Sequence, residues 1–475
     1  MFLTKHHSDT LNILKDIATV SNYQPQSGDL LKLFRLVIVE DVAKEEAATL
    51  FPSTGYFRKT YKNLKDRLLD GILLNSFKGL SRVQEKHFQI RRRAMESTML
   101  IHLEKKKAGI KVAEETYYLA EKYGLIDVAL AMSRELEVHY GSVELSTVKW
   151  KKFRTSTKKY RAYFDAECQA QSLFGELAHC YQKKHSIAHI PEELKRLSLL
   201  CKNNKELRFR FYYYSVKNLY YRILEDTQQI IANCREAILF FENIKVDLSY
   251  LMKWSFAYQL LPIYIQQGSY GKSELMVNKC LSYCIKGTYN WHLTLFYKVV
   301  SGFYSNKPAI SLQACLQAKS VTKKFDSQAI SERWKLIEAY LSFFSKLGKI
   351  NYTTKFRLYR FLNEVKFTNS LNLMIIELLT LLINGKKKMY MQRSERIEDV
   401  IQANRGYPRA AYFLRMLRAV ELGDYNRIRV SIHAKKHVGL LTHSKNKKLS
   451  LSIYDTEPVP YEILWESVLE FLEKK

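Results

Sequence analysis

The sequence predicts an all-α fold, a solenoid of stacked helix pairs, and three observations carry that expectation. First, the 475 residues include only 17 Gly and 8 Pro. Folds of many short strands need more turn residues than that; long helices joined by short loops do not. Second, 47% of the residues are apolar, enough for a core that runs the length of the chain. Third, over residues 96–440 apolar positions recur at helical spacing. The breaks are short: Gly124, Gly268, Gly287, Asn306-Lys307-Pro308, Gly348, Gly385 and Gly406-Tyr407-Pro408. Helix pairs of this kind bury their apolar faces only against neighbours, so they stack.

Two smaller regions flank this array. Residues 1–95 read as an N-terminal helical unit. Leu30, Leu31, Phe34, Val37 and Ile38 lie at helical spacing, and a short helix follows over Val42–Leu50. Phe51-Pro52-Ser53-Thr54-Gly55 then breaks the pattern, with Ser53 or Thr54 as a cap for a third helix, Phe57–Leu74, that aligns Leu64, Leu68 and Ile72. Three short helices ending in a basic one resemble a helix-turn-helix unit. Residues 441–475 start with basic Lys445-Asn446-Lys447-Lys448. They end in an amphipathic helix, Tyr461–Leu472, whose Ile463, Leu464, Trp465, Val468 and Leu472 suit a cap on the open end of a solenoid.

Within the array, three turns share a pattern. Gly124 precedes Ile126, Ala129 and Leu136; Gly268 precedes Tyr270, Ser273 and Val277; Gly423 precedes Tyr425, Ile428 and Ile432. A Gly ends one helix, a bulky residue follows two positions on, and small residues such as Ala129 and Ser273 let two helices approach. This resembles the turn and second helix of a tetratricopeptide repeat, which implies antiparallel helix pairs stacked into a right-handed superhelix. The first-helix Trp and the Pro that ends a repeat are missing, and the repeats are unequal, so the resemblance is to tetratricopeptide-like proteins. Three segments, residues 50–69, 355–365 and 459–466, also resemble parts of uncharacterised helical-repeat proteins of Bacteroidota. That resemblance implies architecture and no activity.

The formal net charge is +29. Such a surplus draws in nucleic acid, anionic lipid or acidic protein, or it reflects a Lys- and Tyr-rich composition. The seven Cys form no CxxC pair and sit mostly in apolar helical stretches, which points to a reducing compartment. The first residues lack the apolar core of a signal peptide. The longest apolar run, Leu373–Ile383, is too short to span a bilayer. A cytoplasmic protein is expected.

Catalytic signatures are missing. The sequence contains no GxxxxGK[ST] loop, no GxGxxG after a strand and no GxSxG elbow. His185 and His189 stand at i, i+4, but Ser186 occupies the place where a metalloprotease needs Glu. His433 and His437 repeat the spacing around two lysines that repel a cation. Cys280 and Cys284 read as two small core residues. Glu114-Glu115 and Glu395, Glu398 and Asp399 read as salt-bridge partners on solvated faces. No enzyme activity, metal or cofactor is expected.

Three basic clusters remain. The first holds Arg58, Lys59, Lys62 and Lys65, then Arg91, Arg92 and Arg93. Arg58, Lys62 and Lys65 share one face of the third helix, suited to a phosphate backbone or to a solvated surface. The second interleaves Trp150, Phe153, Tyr160, Tyr163 and Phe164 with Lys151, Lys152, Arg154, Lys158, Lys159 and Arg161. Single-stranded RNA suits such a string, but an amphipathic helix with Phe153, Tyr160 and Phe164 inward is the favoured reading. The third is Arg208-Phe209-Arg210-Phe211-Tyr212-Tyr213-Tyr214, of which Arg208, Arg210 and Tyr213 are candidates to grip a peptide. The function expected is an interaction scaffold for a protein or peptide, acidic in character. The alternative is a nucleic-acid-binding regulator that uses the basic N-terminal unit.

Overall fold

The computed structural model describes residues 18, 24–40, 42, 44–74, 82–183, 187–204, 206–244, 249–322, 328–352, 370–404, 406–444 and 457–474. Among them are twenty-one α-helices and no strand, an all-α solenoid of helical repeats. The chain divides into two compact units, residues 1–166 and 167–475.

The first unit holds α1 (Gly28–Phe34), which continues as a π-turn over Arg35–Val39, then α2 (Lys44–Thr49) and α3 (Thr54–Leu74). These surround their own apolar cluster of Leu33, Val37, Ala47, Phe51, Phe57, Leu64 and Leu68. The wider π-turn alters the helical phase, so Leu33 and Val37 point inward while Ile38 is only partly buried. Ser53 caps α3: its Oγ accepts the Tyr56 N–H at 3.1 Å. The side chain of Ile72 lies outside the description. A separate cluster joins α4 (Arg82–His102), α5 (Lys106–Tyr123), α6 (Ile126–Ser142) and the first half of α7 (Thr147–Lys183) around Tyr117, Tyr140, Phe153 and Tyr160. α4 runs unbroken through residue 95. The boundary between units falls inside α7.

The second unit continues with α8 (Ile190–Asn203), α9 (Leu207–Ile223), α10 (Thr227–Glu242), α11 (Ser249–Gln266), α12 (Tyr270–Ser282), α13 (Tyr289–Tyr304), α14 (Pro308–Thr322) and α15 (Gln328–Lys346). It ends with α16 (Ser370–Ile383), α17 (Lys387–Ser394), α18 (Ile397–Ala403), α19 (Pro408–Leu422), α20 (Arg427–His443) and α21 (Tyr461–Glu473). From α9 to α15 each helix packs on the next, as do α16 on α17 and α19 on α20.

One turn geometry recurs. At Gly124 the backbone turns left-handed (φ 66°), and the Leu125 N–H returns to the Ala120 carbonyl at 2.9 Å, satisfying the open end of α5. Gly268, Gly348 and Gly385 close their helices the same way. So do Glu104, Glu225, Asn306 and Asp424, where a residue other than glycine bears the positive φ. In the second unit these closures come at intervals of about 40 residues, within the range of two-helix repeats and longer than the ~34 of a tetratricopeptide unit. Gly423 corrects the expectation that it supplies the turn. Its φ is ordinary, Asp424 is left-handed, and a Cβ on Gly423 would stand 2.5 Å from the Val430 nitrogen. Its smallness serves the close approach of α19 and α20. Ala129 and Ser273 are fully buried, as helix-contact residues must be.

The C-terminal helix is pinned by charge as well as packing. Phe413 stacks on Tyr461 at 4.8 Å, and Leu464, Trp465, Val468 and Leu472 are buried, with Ile463 half-buried. Arg409 on α19 donates to both carboxylate oxygens of Glu457 (2.8 and 2.9 Å) and to Glu462 (2.8 Å). It also donates to the Leu441 and Ser444 carbonyls at the end of α20 (2.9 and 3.0 Å). Among the described residues no helix is long and apolar enough to cross a membrane. Leu373–Ile383 lies within the buried helix α16. Residues 355–365, Lys445–Lys448 and His185 lie outside the described residues.

Candidate partner-binding surfaces

α3 is positioned by a tight corner. Lys32 donates to the Leu50 carbonyl at 2.7 Å and lies 5.0 Å over the Phe51 ring. The Tyr56 hydroxyl donates to Asp29 at 2.6 Å, tying the start of α3 to α1. Of residues 54–68 only Phe57, Thr60, Leu64 and Leu68 are buried. Arg58, Lys59, Lys62 and Lys65 are all exposed, and among the described residues none of the four makes an ion pair or hydrogen bond.

The three arginines of α4 differ. Arg91 grips Asp127 of α6 through two guanidinium nitrogens. Arg92 pairs with Glu96 one turn on at 2.9 Å, and Arg93 stands 4.0 Å from Glu115 of α5. Each has a carboxylate within 4.0 Å and remains partly exposed.

In α7 the inward reading holds for Phe153 and Tyr160. Phe153 stacks on Tyr140 (5.7 Å), and the Tyr160 hydroxyl donates to Glu121 at 2.7 Å. It fails for Phe164, which is 36% exposed. Phe164 comes one turn after Tyr160, whose partner Glu121 is already near the end of α5. Lys149, Lys152 and Lys159 fold inward onto Glu114 (3.6 Å), the Tyr118 hydroxyl (2.6 Å) and Glu121 (3.7 Å). Lys151, Arg154, Lys158 and Arg161 point the other way. They succeed one another along one face, all exposed, and none has a carboxylate partner among the described residues. Arg154 rests over the Trp150 ring at 4.9 Å. The exposed apolar residues Leu145 and Val148 precede the row.

α9 uses its candidates internally. Arg208 binds Glu167 at 2.8 Å. Arg210 donates to the Asn204 carbonyl (2.9 Å) and to the Cys201 carbonyl, closing the C-terminal end of α8, where a cation is also favoured by the helix dipole. Tyr213 is 7% exposed and packs beside Phe209, with Lys217 over its ring at 5.3 Å. All three side chains take part in packing the repeat, with Arg208 still partly exposed. A ladder that the sequence did not announce lies behind them: Asn233 donates to Asn218 (2.6 Å) and to the Tyr214 carbonyl (2.9 Å), and Asn218 donates to Gln259 (3.2 Å).

The paired residues have local partners. Glu114 accepts from Tyr140 (2.9 Å), and Glu398 is bound at two points by Arg415 (2.8 and 2.9 Å). The Arg415 hydrogen bond holds the Glu398 carboxyl below its ordinary pKa. Burial raises the Cys280 thiol and brings Cys284 to about 11. Burial, with Arg415 and Lys436 nearby, lowers His437. His189 meets Glu176 at 2.7 Å. Among the described residues no group of three metal-ligating side chains comes together. No family model matches the chain, and no curated protein and no solved structure matches it.

Proposed function

We propose that the protein is a non-enzymatic interaction scaffold that binds an acidic protein or peptide on its helical-repeat surface, with the outer row of α7 as the contact. The observation that carries this reading is the row itself. Lys151, Arg154, Lys158 and Arg161 follow one another at three- and four-residue steps, exposed and without carboxylate partners among the described residues. They span about 15 Å of helix. The opposite face of α7 is anchored by Phe153 and Tyr160, so the row is held rigid before any partner arrives. Preformed cations raise the rate of encounter with an acidic segment and orient it. Leu145 and Val148 add apolar area at one end of the row. The seven cysteines are all unbridged, which suits a reducing, cytoplasmic setting.

The test is fluorescence anisotropy of the full chain with a labelled Glu/Asp-rich peptide. Substituting Lys151, Arg154, Lys158 and Arg161 with Ala is expected to weaken binding about tenfold or more, the worth of several charge contacts. Undiminished binding by that variant rejects α7 as the contact.

A further inference from the structure

We propose a second binding site, independent of α7: the exposed face of α3 is a docking surface for double-stranded DNA. Four observations lead to it. Arg58, Lys59, Lys62 and Lys65 are exposed and outnumber the one carboxylate among them, Asp66, and among the described residues none of the four forms an ion pair, unlike Arg91, Arg92 and Arg93 on α4. A cluster of four cations without internal partners complements a dense polyanion such as duplex DNA, which carries one charge per about 1.7 Å of axis.

The second observation is shape. Along Thr54–Leu68 only four side chains are buried, so most of the circumference of α3 is open to solvent. An α-helix with side chains is about 10–12 Å across, matching the ~12 Å major groove of B-form DNA. The deep, narrow major groove of duplex RNA does not admit a helix. The cations are also spread along the helix. From Arg58 to Lys65 is about 10 Å of rise, enough to meet successive phosphates and not one.

The third observation is the corner. Short α2 meets α3 through Leu50–Ser53, and Lys32, Phe51 and Ser53 hold that turn. A short helix followed by a tight turn and a longer basic helix is the arrangement that presents a helix to a groove. The fourth is rigidity. The buried face of α3 (Phe57, Leu64 and Leu68) and the Tyr56–Asp29 hydrogen bond fix its direction, so little order is lost on docking. The contacts are to phosphates, which position a protein without reading bases.

The experiment measures anisotropy of a labelled duplex DNA of about 20 base pairs with the full chain over a salt series. Four phosphate contacts predict a slope of log K against log salt near about −3.6. R58A/K62A/K65A is expected to flatten that slope by about 2.7 and to weaken binding about tenfold or more at moderate salt. All three positions are exposed, so an unchanged thermal melt accompanies the loss. The α7 variant K151A/R154A/K158A/R161A is expected to leave duplex binding in place, and R58A/K62A/K65A to leave peptide binding in place, so either reading can fail alone. Four results overturn the DNA proposal: no duplex binding by the wild type, an unchanged slope in R58A/K62A/K65A, equal loss in the α7 variant, or polyglutamate displacing the duplex at equal charge.

Discussion

Arg58 on α3 and Arg409 on α19 carry the same guanidinium in opposite circumstances. Arg409 is mostly buried and donates to two carboxylates and two helix-end carbonyls, tying α19, α20 and α21 together. Arg58 is exposed, and among the described residues it bonds to nothing. A buried cation survives only when its hydrogen-bonding capacity is met inside the fold. A surface cation without such partners keeps its charge for something else. The contrast teaches that the charge surplus of +29 is not one property. Part of it holds the repeats together, and part is left facing outward.

Substitutions can break or sharpen that contrast. The largest effect is expected from Arg409→Met, which leaves Glu457 buried without its partner and should cost about 3 kcal/mol. Urea unfolding measures it, and a cost below about 1 kcal/mol would mean that the clasp is incidental. Arg210→Ala comes next. It frees two carbonyls at the end of α8 and should cost about 1–2 kcal/mol, read in the same way. Arg91→Ala tests the intermediate case, a partly exposed pair with Asp127, for which about 0.5–1 kcal/mol is expected. Glu398→Gln should cost about 0.5 kcal/mol after allowance for solvent screening. Its pKa is lowered by Arg415, so the contribution is present above the ordinary carboxylate pKa and disappears as pH falls through the lowered one. The melting temperatures of wild type and E398Q should therefore differ at neutral pH and converge in acid. Least of all, R58A/K62A/K65A should change stability by less than about 0.5 kcal/mol, since exposed cations without partners contribute little to folding. A large loss there would place those side chains in the first class and remove the contrast.

The helical array was legible wherever a residue's chemistry forces its geometry. Gly124, Gly268, Gly348 and Gly385 mark helix ends because glycine adopts the left-handed turn without steric cost. Asn306 makes the same turn within a break that Asn306-Lys307-Pro308 already marks, and Glu104, Glu225 and Asp424 make it without a glycine. Asn306 and Asp424 are residue types that tolerate the left-handed region, whereas at Glu104 and Glu225 no local preference reports the turn. The buried stripes of α3 and α7 were legible from spacing, apart from Phe164, which has the right phase but is exposed one turn beyond Tyr160, whose partner Glu121 is near the end of α5. The candidate sites were legible only as clusters. Arg91 and Asp127, 36 positions apart, and Arg208 and Glu167 meet only after the helices stack, so pairing could not be read from a run of charges.

What the sequence determined by itself was the class of structure: helices, their apolar faces and the excess of cations. Each follows from residue type and local spacing, since periodicity and turn chemistry act over a few residues. The tertiary structure alone decided which cations are paired within the fold and which are left exposed. A carboxylate answers a guanidinium only within a few ångströms, and that distance is set by how remote helices pack.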